Sequence, residues 1–235
     1  MNRALYAAAS GMAAQQQNLD VVADNLANAD VIGFKSAQAA FAPIGPNAML
    51  GTAAAGVREN LGQGKLEKSG GPFDIALDGA GFFAVERDGV RGYTRAGAFS
   101  RAADGTLRNA EGWSLRGVRI GVGAQNVTVV SDGRVVCDGA LAGRIGVAAF
   151  QAPEHLRLVD ATVFVPTAES GVARLMSTGG DRQPKIAFGM LEKSNVSIVE
   201  SMMAILAAQR AYEANAKGVQ AADEMLRIAN NLHRS

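Results

Sequence analysis

The fold of this chain depends on the stretch DNLANADVIGFK, residues 24–35. The residues before it are rich in good helix formers, whereas Asn25, Asn28 and Gly33 are of the types that most readily take a left-handed backbone conformation and end helices. The two β-branched residues before Gly33 prefer extended structure. We therefore predict that a long helix ends here. Taken alone, the stretch would also fit an ordinary helix C-terminus that joins a domain core.

Composition narrows the class of protein. The chain has 235 residues, 48% of them hydrophobic, which is enough to bury the core of one large domain or two modest ones. Its 23 Lys and Arg nearly balance its 22 Asp and Glu, and no basic run interleaved with aromatic residues gives an electrostatic case for nucleic-acid binding. The single Cys137 cannot form an intrachain disulfide and is expected to pack as a small apolar residue.

The sequence predicts neither a membrane span nor a cleaved leader. No run of about 18 or more apolar residues occurs. The alanine-rich start faintly resembles a secretory signal, but its apolar residues fall at helical spacing and Gln15–Gln17 interrupt it. If the protein leaves the cytoplasm, we expect it to do so without a cleaved signal peptide.

Residues 3–29 carry a stripe of apolar side chains at every seventh position. The stripe consists of Leu5, Met12, Leu19 and Leu26. This repeat is typical of a coiled-coil seam, and a single helix with such a face is marginal because helices take most of their stability from packing. The stripe therefore needs a partner, in the same chain or in another.

A stronger stripe lies near the other end of the chain. Its members recur every seven residues, with Met202 and Ala216 at the intermediate step: Leu191, Ile198, Ile205, Tyr212, Val219 and Leu226. Ser197 and Glu200 have the spacing of a capping box, so we predict a helix from about residues 195–197 to 232. Ala208 lies off the stripe and is expected on a solvated face. Periodicity alone leaves open whether this helix packs on its own domain or serves assembly.

The middle of the chain has the pattern of antiparallel β-structure. Five Asp-Gly pairs separate short β-branched or aromatic runs: Asp78-Gly79, Asp88-Gly89, Asp104-Gly105, Asp132-Gly133 and Asp138-Gly139. Asp-Gly between such runs is a strong hairpin signal. Val127–Val130 and Arg134–Cys137 are predicted to pair across one of these turns, and Ile145, Val147 and Ala149 alternate as in a half-buried strand. Residues 35–65 lack a clear period and are predicted to form an extended connector.

The sequence shows no convergent set of catalytic side chains. His155 is the only plausible general base, and a lone loop histidine is usually solvated. Gly79–Gly81 precedes a predicted strand and so lacks the helix N-terminus with which a glycine-rich loop binds phosphate. Asp132, Asp138 and Asp160 lack the ligand spacing of a calcium loop. We assign no catalytic residue, no cofactor and no metal site, and we expect the protein not to be an enzyme.

Three stretches resemble one known family. They are SGMAAQQQNLDVVADNLANADVIGFK (10–35), GPFDIALDGAGFFAVERDGVRGYTRAGAFSRAADGTLRNAEGWSLRG (71–117) and GMLEKSNVSIVESMMAILAAQRAYEANAKGVQAADEMLRIANNL (189–232). In this order they resemble the N-terminal signature, the central β motif and the C-terminal helix of the bacterial flagellar rod and hook proteins. Asn25, Asn28, Gly33 and Phe34 match the family's exit from the N-terminal helix. Asp30 and Val31 depart from the Ser or Asn and the Thr that are common there.

The resemblance implies a structural subunit of the flagellar basal-body rod that polymerises into a hollow helical drive shaft and transmits torque. It implies three kinds of partner: copies of the chain itself, other flagellar rod and hook subunits, and the flagellar type III export apparatus. It also implies a place in the basal body, where the rod crosses the periplasm. QRAYEANAK, residues 209–217, is most similar to the distal-rod member, while the short connector would also suit a proximal-rod member.

The expected fold is α+β. Residues 1–34 and 192–235 are predicted to pair as a coiled-coil-like axial domain, and residues 66–191 to form a mainly antiparallel β domain. The expected assembly interface consists of Leu5, Met12, Leu19, Leu26, Ile198, Met202, Ile205, Tyr212, Val219 and Leu226. The alternative from another class is a β-rich binding module or hydrolase that dimerises through its terminal helices.

Overall fold

The computed structural model describes residues 3–44, 51–121, 123–181 and 183–232. Within these ranges the chain forms two long helices, α1 (Arg3–Ala27) and α2 (Ile198–Leu232), with mainly antiparallel strands between them. The predicted α+β fold is thereby confirmed. Neither helix is both long and apolar enough to cross a membrane.

The chain divides into two compact units. The helical unit comprises Met1–Ala29, Ser36–Asn60 and Val196–Ser235, and the β unit comprises Asp30–Lys35 and Leu61–Asn195. The sequence-based boundaries differ from these at 30–34 and 192–195, which the structure places in the β unit. One reason is a backbone hydrogen bond of 2.7 Å that Gly33 N donates to Glu192 O.

The two helix termini predicted from sequence, the end of α1 and the start of α2, each have a side-chain cap. At the end of α1, Asn28 donates from its backbone N (3.1 Å) and from Nδ2 (2.8 Å) to Asp24 O. Asn25 is buried, and its side-chain amide bonds both the N and the O of Ala37, at 2.7 Å each. At the start of α2, the Ser197 hydroxyl accepts a hydrogen bond from Glu200 N at 3.4 Å. The Asn25 side chain thus bonds the backbone of Ala37 as a neighbouring strand would, and it fixes the position of the chain at that residue.

The helices α1 and α2 pack against each other through small residues. A Cβ at Gly11 would lie 2.9 Å from Asn215 Nδ2, and a Cβ at Gly218 would lie 4.0 Å from Ala8 Cβ. Because a step toward the N-terminus of α1 is a step toward the C-terminus of α2, the pair is antiparallel. A larger side chain at Gly11 would have to displace Asn215.

A β-hairpin occupies most of the predicted connector. Strand β1 (Ala37–Pro43) pairs antiparallel with β2 (Thr52–Glu59), with a bulge at Ala40/Phe41. The prediction of an extended connector over 35–65 missed this pairing because the strands are rich in alanine, a poor β former, and no Asp-Gly turn joins them. Thr52 N donates to Ser10 Oγ at 3.2 Å, which ties the hairpin to α1.

The β unit is built from sixteen short strands in the described residues. They are β3 (Leu66–Lys68), β4 (Ile75–Asp78), β5 (Phe82–Arg87), β6 (Val90–Thr94), β7 (Ser100–Arg101), β8 (Thr106–Arg108), β9 (Ser114–Arg119), β10 (Val127–Val129), β11 (Arg134–Cys137), β12 (Ala140–Arg144), β13 (Val147–Ala149), β14 (Arg157–Asp160), β15 (Val163–Val165), β16 (Arg174–Met176), β17 (Lys185–Phe188) and β18 (Met190–Glu192). The main sheet runs β10-β11-β12-β9-β5-β6-β15-β14. Strands β13 and β16 extend from β5, and β8 and β7 extend from β9, while β4–β17 and β3–β18 form separate two-stranded pairs.

Four of the five Asp-Gly pairs form hairpin turns as predicted. Asp88-Gly89 and Asp138-Gly139 make two-residue turns in which both residues have positive φ, the type I′ geometry. Asp104-Gly105 and Asp132-Gly133 lie in the longer β7–β8 and β10–β11 loops. Asp78-Gly79 differs, because β4 pairs with β17 and not with β5.

The sheet is buried on both faces near β5. The larger core cluster includes Phe83, Val85 and Val147, and a second cluster includes Phe82 and Ala148. The segment 145–149, which was predicted to alternate between buried and exposed residues, is therefore not a half-buried strand. Ile145 and Val147 are buried as expected, but Ala148 between the predicted inward positions is also fully buried, because the second cluster covers its face.

Gly33 and Gly89 provide a matched test of backbone geometry in the β unit. Both have positive φ, but a Cβ at Gly33 would lie 2.3 Å from Ala96 N, whereas a Cβ at Gly89 would meet nothing within 4 Å. We expect Gly89→Ala to lower the free energy of unfolding by about 1 kcal/mol and Gly33→Ala by about 3 kcal/mol or more. Urea unfolding followed by fluorescence of Trp113, the single tryptophan, measures both. Equal losses would show that Ala96 yields without cost.

Candidate assembly surface

The side chains predicted to form the assembly seam occupy different environments. On α1, Leu5, Met12, Leu19 and Leu26 are all half-buried. On α2, Ile205 and Val219 are half-buried, while Ile198, Met202 and Tyr212 are exposed. The side chain of Leu226 lies outside those that the structure describes.

The buried face of α2 is lined by small residues. Ser201, Ala208 and Ala222 are its buried positions, at intervals of seven and fourteen residues, and Asn215 completes the series. The expectation that Ala208 faces solvent is wrong, because Ala208 is only 3% exposed. Sequence reasoning placed the large apolar residues inside, whereas close approach to Gly11 on α1 requires small ones.

Large apolar side chains cluster on the outward face of the first turns of α2. We call this group the α2 patch: Ile198, Val199, Met202, Met203 and Leu206, each between 45% and 67% exposed. At 100° per residue Val199, Met203 and Leu206 lie on the side of the helix opposite Ala208 and Asn215, and Ile198 and Met202 lie beside them on one flank. Further along this side the sequence becomes polar, with Gln209, Arg210, Glu213 and Lys217 all exposed. The α2 patch is therefore limited to the first two to three turns, and among the described side chains exposed large apolar residues return on this side only near the other end of α2, at Met225 and Ile228.

A buried ion cluster lies in the β unit. Lys35 Nζ is 2.5 Å from Glu192 Oε1, and Arg95 Nη1 is 3.2 Å from Glu192 Oε2. The side chains of Lys35 and Glu192 are fully buried, and that of Arg95 is nearly so. Buried charges are costly unless they are paired and hydrogen-bonded, so this cluster must be well satisfied.

Backbone groups supply most of the remaining hydrogen bonds of the cluster. Glu192 Oε1 also accepts from Gly64 N at 2.9 Å, and Lys35 Nζ donates to Gly62 O at 2.7 Å. Arg95 donates to Leu77 O and Gly79 O, while its Nε has no partner among the described residues. Burial lowers the pKa of the Lys35 ammonium, and the hydrogen bond and charge of Glu192 oppose that shift. Burial likewise lowers the pKa of Arg95.

The cluster joins three distant parts of the chain. Lys35 follows the helix exit, Arg95 lies just after β6, and Glu192 ends β18. Beside it, Asn195 N donates to Phe34 O at 3.4 Å, and the Phe34 side chain is buried. The two exit residues Gly33 and Phe34 therefore pack in the β unit, whereas Asn25 and Asn28 act in the helical unit. Sequence reasoning missed the cluster because a single charged residue beside apolar ones carries no spacing signal.

The His and Asp side chains that were candidates for catalysis or metal binding form ion pairs and hydrogen bonds near the surface. His155 Nδ1 lies 3.4 Å from Glu169 Oε2, and both side chains are largely exposed. Asp132 pairs with Arg134, and Asp160 with Arg87. Asp138 accepts hydrogen bonds from Gln125 N and Asn126 N. Among the described residues no three His, Cys, Asp or Glu side chains gather as metal ligands would.

Three family models match this chain in the order of its elements. Residues 5–35 match the flagella basal body rod protein model, residues 76–137 the flagellar hook protein FlgE/F/G D1 domain, and residues 188–232 the C-terminal model of the flagellar basal body rod FlgEFG proteins. The chain is 33% identical to the flagellar basal-body rod protein FlgG of Borreliella burgdorferi, over the whole of both chains.

The chain belongs to the flagellar basal-body rod protein family. It is also 34% identical to FlgG of Agrobacterium fabrum, covering 97% of this chain and 98% of that one. Its identity to the flagellar basal-body rod protein FlgF of Caulobacter vibrioides is 32%, over 97% of each chain. It is thus a structural rod subunit. Each matched segment contributes one member of the ion cluster: Lys35, Arg95 and Glu192.

Removing one charge from the ion cluster of this rod protein should be far more costly than removing a surface charge. We expect Glu192→Gln to lower the free energy of unfolding by about 3–5 kcal/mol, because Lys35 and Arg95 then remain as two buried cations without a counter-ion. Lys65→Met removes a surface pair with Glu67 and should cost less than about 0.5 kcal/mol. Urea unfolding monitored by Trp113 compares them, and similar losses would contradict the structural role of the cluster.

Adjacent alanines on α2 test the orientation of the helix pair. Ala208 is buried whereas Ala207 is exposed, and replacing either with Asp lowers helix propensity equally. We expect Ala208→Asp to reduce the helix content and its melting temperature in far-UV circular dichroism, because a carboxylate is forced into the seam at a cost of about 2 kcal/mol or more. Ala207→Asp should have only the propensity effect. If Ala207→Asp lowered the melting temperature more than Ala208→Asp, α2 would have to be rotated so that Ala207 lies in the seam.

Proposed function

We propose that this rod protein polymerises with copies of itself through its terminal helices, and so builds part of the hollow helical drive shaft that transmits torque. The observation that carries the proposal is the α2 patch. Five large apolar side chains on one surface of a helix that is already paired with α1 are more than a soluble monomer needs, and such patches mark protein–protein contacts. Of the predicted interface residues whose side chains the structure describes, Ile198, Met202 and Tyr212 are exposed.

The other partners and the location follow from family membership and form part of the proposal. Other flagellar rod and hook subunits would contact the two ends of the stretch that this protein builds, and the flagellar type III apparatus would export it. The chain would then reach the part of the rod that crosses the periplasm with its N-terminal residues retained. The likeness of residues 209–217 supports a distal-rod position.

A structural role without catalysis is part of the same proposal. His155 ends the 3₁₀ segment Pro153–His155, and among the described residues the ion-pair partner of its exposed imidazole is Glu169, while the Thr167 hydroxyl bonds only its backbone O. We therefore expect His155→Ala to leave basal bodies and motility unchanged, with an effect on stability within about 0.5 kcal/mol.

Export and assembly can be tested together in cells. A variant lacking residues 2–30 should remain in the cytoplasm at normal level and leave no rod protein in purified basal bodies, whereas His155→Ala should be incorporated normally. Mass spectrometry of the full-length protein from basal bodies should find its N-terminus uncleaved. Immunoblots of the cytoplasmic and basal-body fractions measure where each variant accumulates. Absence of the full-length protein from basal bodies, or export of the truncated variant, would overturn the proposal.

A further inference from the structure

A small open cavity in the β unit lies beside the loop that joins β4 to β5. We propose that it binds an oxyanion, either a phosphate ion or a carboxylate group, and we call it the anion cavity. It has a volume of about 330 Å³. Its lining belongs wholly to the β unit and consists of Leu61, Gln63, Gly79–Gly81, Phe82, Arg95 and Pro153. The proposal goes beyond the proposed function, because binding of an anion does not depend on polymerisation.

The ion cluster makes the anion cavity positive. Arg95 belongs both to the cavity wall and to the cluster, in which two cations face the single carboxylate of Glu192. One positive charge is therefore in excess. Arg95 is only 4% exposed, and its Nε has no hydrogen-bond partner among the described residues. Buried donors are rarely left without an acceptor, so both features favour a negatively charged ligand beside this side chain.

The loop of residues 79–81 supplies hydrogen-bond donors for such a ligand. Ala80 N and Gly81 N bond to no other described residue, whereas Gly79 N donates to Gln63 Oε1 at 3.0 Å. The side-chain NH₂ of Gln63 adds a third donor to the cavity. Consecutive backbone N–H groups in a turn form anion sites without a helix behind them. The expectation that this loop does not bind phosphate rested on the lack of a helix N-terminus, and here Arg95 provides the positive charge instead.

The remaining lining sets the size and class of the ligand. Leu61, Phe82 and Pro153 are apolar, which lowers the local dielectric constant and strengthens the attraction between opposite charges. Among the described residues no carboxylate lines the cavity. Its volume is roughly ten times that of one water molecule in the liquid, enough for a phosphate ion or for the end of an Asp or Glu side chain from a second copy of the chain. Both ligands present the same negatively charged oxygens to the donors.

An isosteric variant tests the cavity without breaking the ion cluster. Gln63→Glu keeps an oxygen that accepts from Gly79 N and places a negative charge in the anion cavity. Thermal unfolding of the full-length protein, followed by Trp113 fluorescence at constant ionic strength, measures binding of phosphate and of acetate. We expect the melting temperature of the wild type to rise by at least about 2 °C and to level off as either anion increases. Gln63→Glu should lose this saturating rise, because its own carboxylate repels the anion.

Two further variants separate the charge from other effects. Gln125→Glu makes the same change of charge at an exposed glutamine elsewhere in the β unit, and it should respond to both anions as the wild type does. Gln63→Ala removes the amide and adds no charge, so it should still respond, with half-saturation at a concentration at least about threefold higher. Phosphate also stabilises proteins by exclusion from their surface, but that effect is common to all variants and does not level off with a binding curve.

Purified basal bodies distinguish the two sources of the oxyanion. If a carboxylate of a neighbouring copy fills the cavity, Gln63→Glu brings two carboxylates together and should reduce the amount of rod protein in basal bodies by at least about fivefold, whereas Gln125→Glu should assemble normally. If the ligand is free phosphate, both variants should be present at the wild-type amount. Immunoblots of the basal-body fraction measure these amounts.

The outcomes separate this inference from the proposed function. Equal responses of the wild type and Gln63→Glu to both anions would overturn the anion cavity, whatever the basal bodies contain. A saturating response that Gln63→Glu alone loses would support it. If wild-type protein is absent from basal bodies, the proposed function fails, while the melting curves still decide whether the cavity binds an oxyanion.

Discussion

The carboxylate of Glu192 is the point on which the β unit depends. It is fully buried, it faces the cations Lys35 and Arg95, and it accepts a further hydrogen bond from Gly64 N. A charge in this position is tolerated only when its partners are in place, because desolvation costs several kcal/mol for each ion. The interaction therefore specifies one arrangement of three chain segments more strongly than it adds to stability. Hydrophobic packing around Phe83 and Val147 holds the sheet together, but it would tolerate more than one way of attaching the ends.

The helical unit separates two tasks that a single apolar stripe would combine. Small residues at Gly11 and Ala208 let α1 and α2 approach within the chain, and the bulky side chains of the α2 patch are left for contacts beyond it. Methionine provides two of the five patch side chains, and its flexible thioether adapts to slightly different neighbouring surfaces. Subunits of a helical assembly meet their neighbours in several directions, so an adaptable surface suits the proposed polymer.

Local signals explain what could be predicted from the sequence. The helix exit after Asn25 and Asn28, the start of α2 at Ser197 and four hairpin turns each depend on residues close together in the chain, and the structure has them in these places. The α+β class and the family followed from the same segments. The rotation of α2 could not be predicted, because a seven-residue repeat identifies a stripe without telling whether it lies inside or outside. The β1–β2 hairpin and the ion cluster depend on contacts between distant residues, for which neither composition nor periodicity gives a signal.

The sequence separation within the ion cluster has a kinetic consequence. Lys35 and Glu192 are 157 positions apart, and Arg95 is 97 positions from Glu192. Closing such long loops is slow compared with forming a helix or a hairpin, since native contacts between remote residues lower folding rates. A ribosome must therefore synthesise about four fifths of the chain before the last charge of the cluster is available. Until then Lys35 and Arg95 are two like charges without their counter-ion, and the partly made chain gains nothing by burying them. The proposed export of the chain through the flagellar type III apparatus would benefit from this delay, because the most specific contact of the fold is among the last that can form.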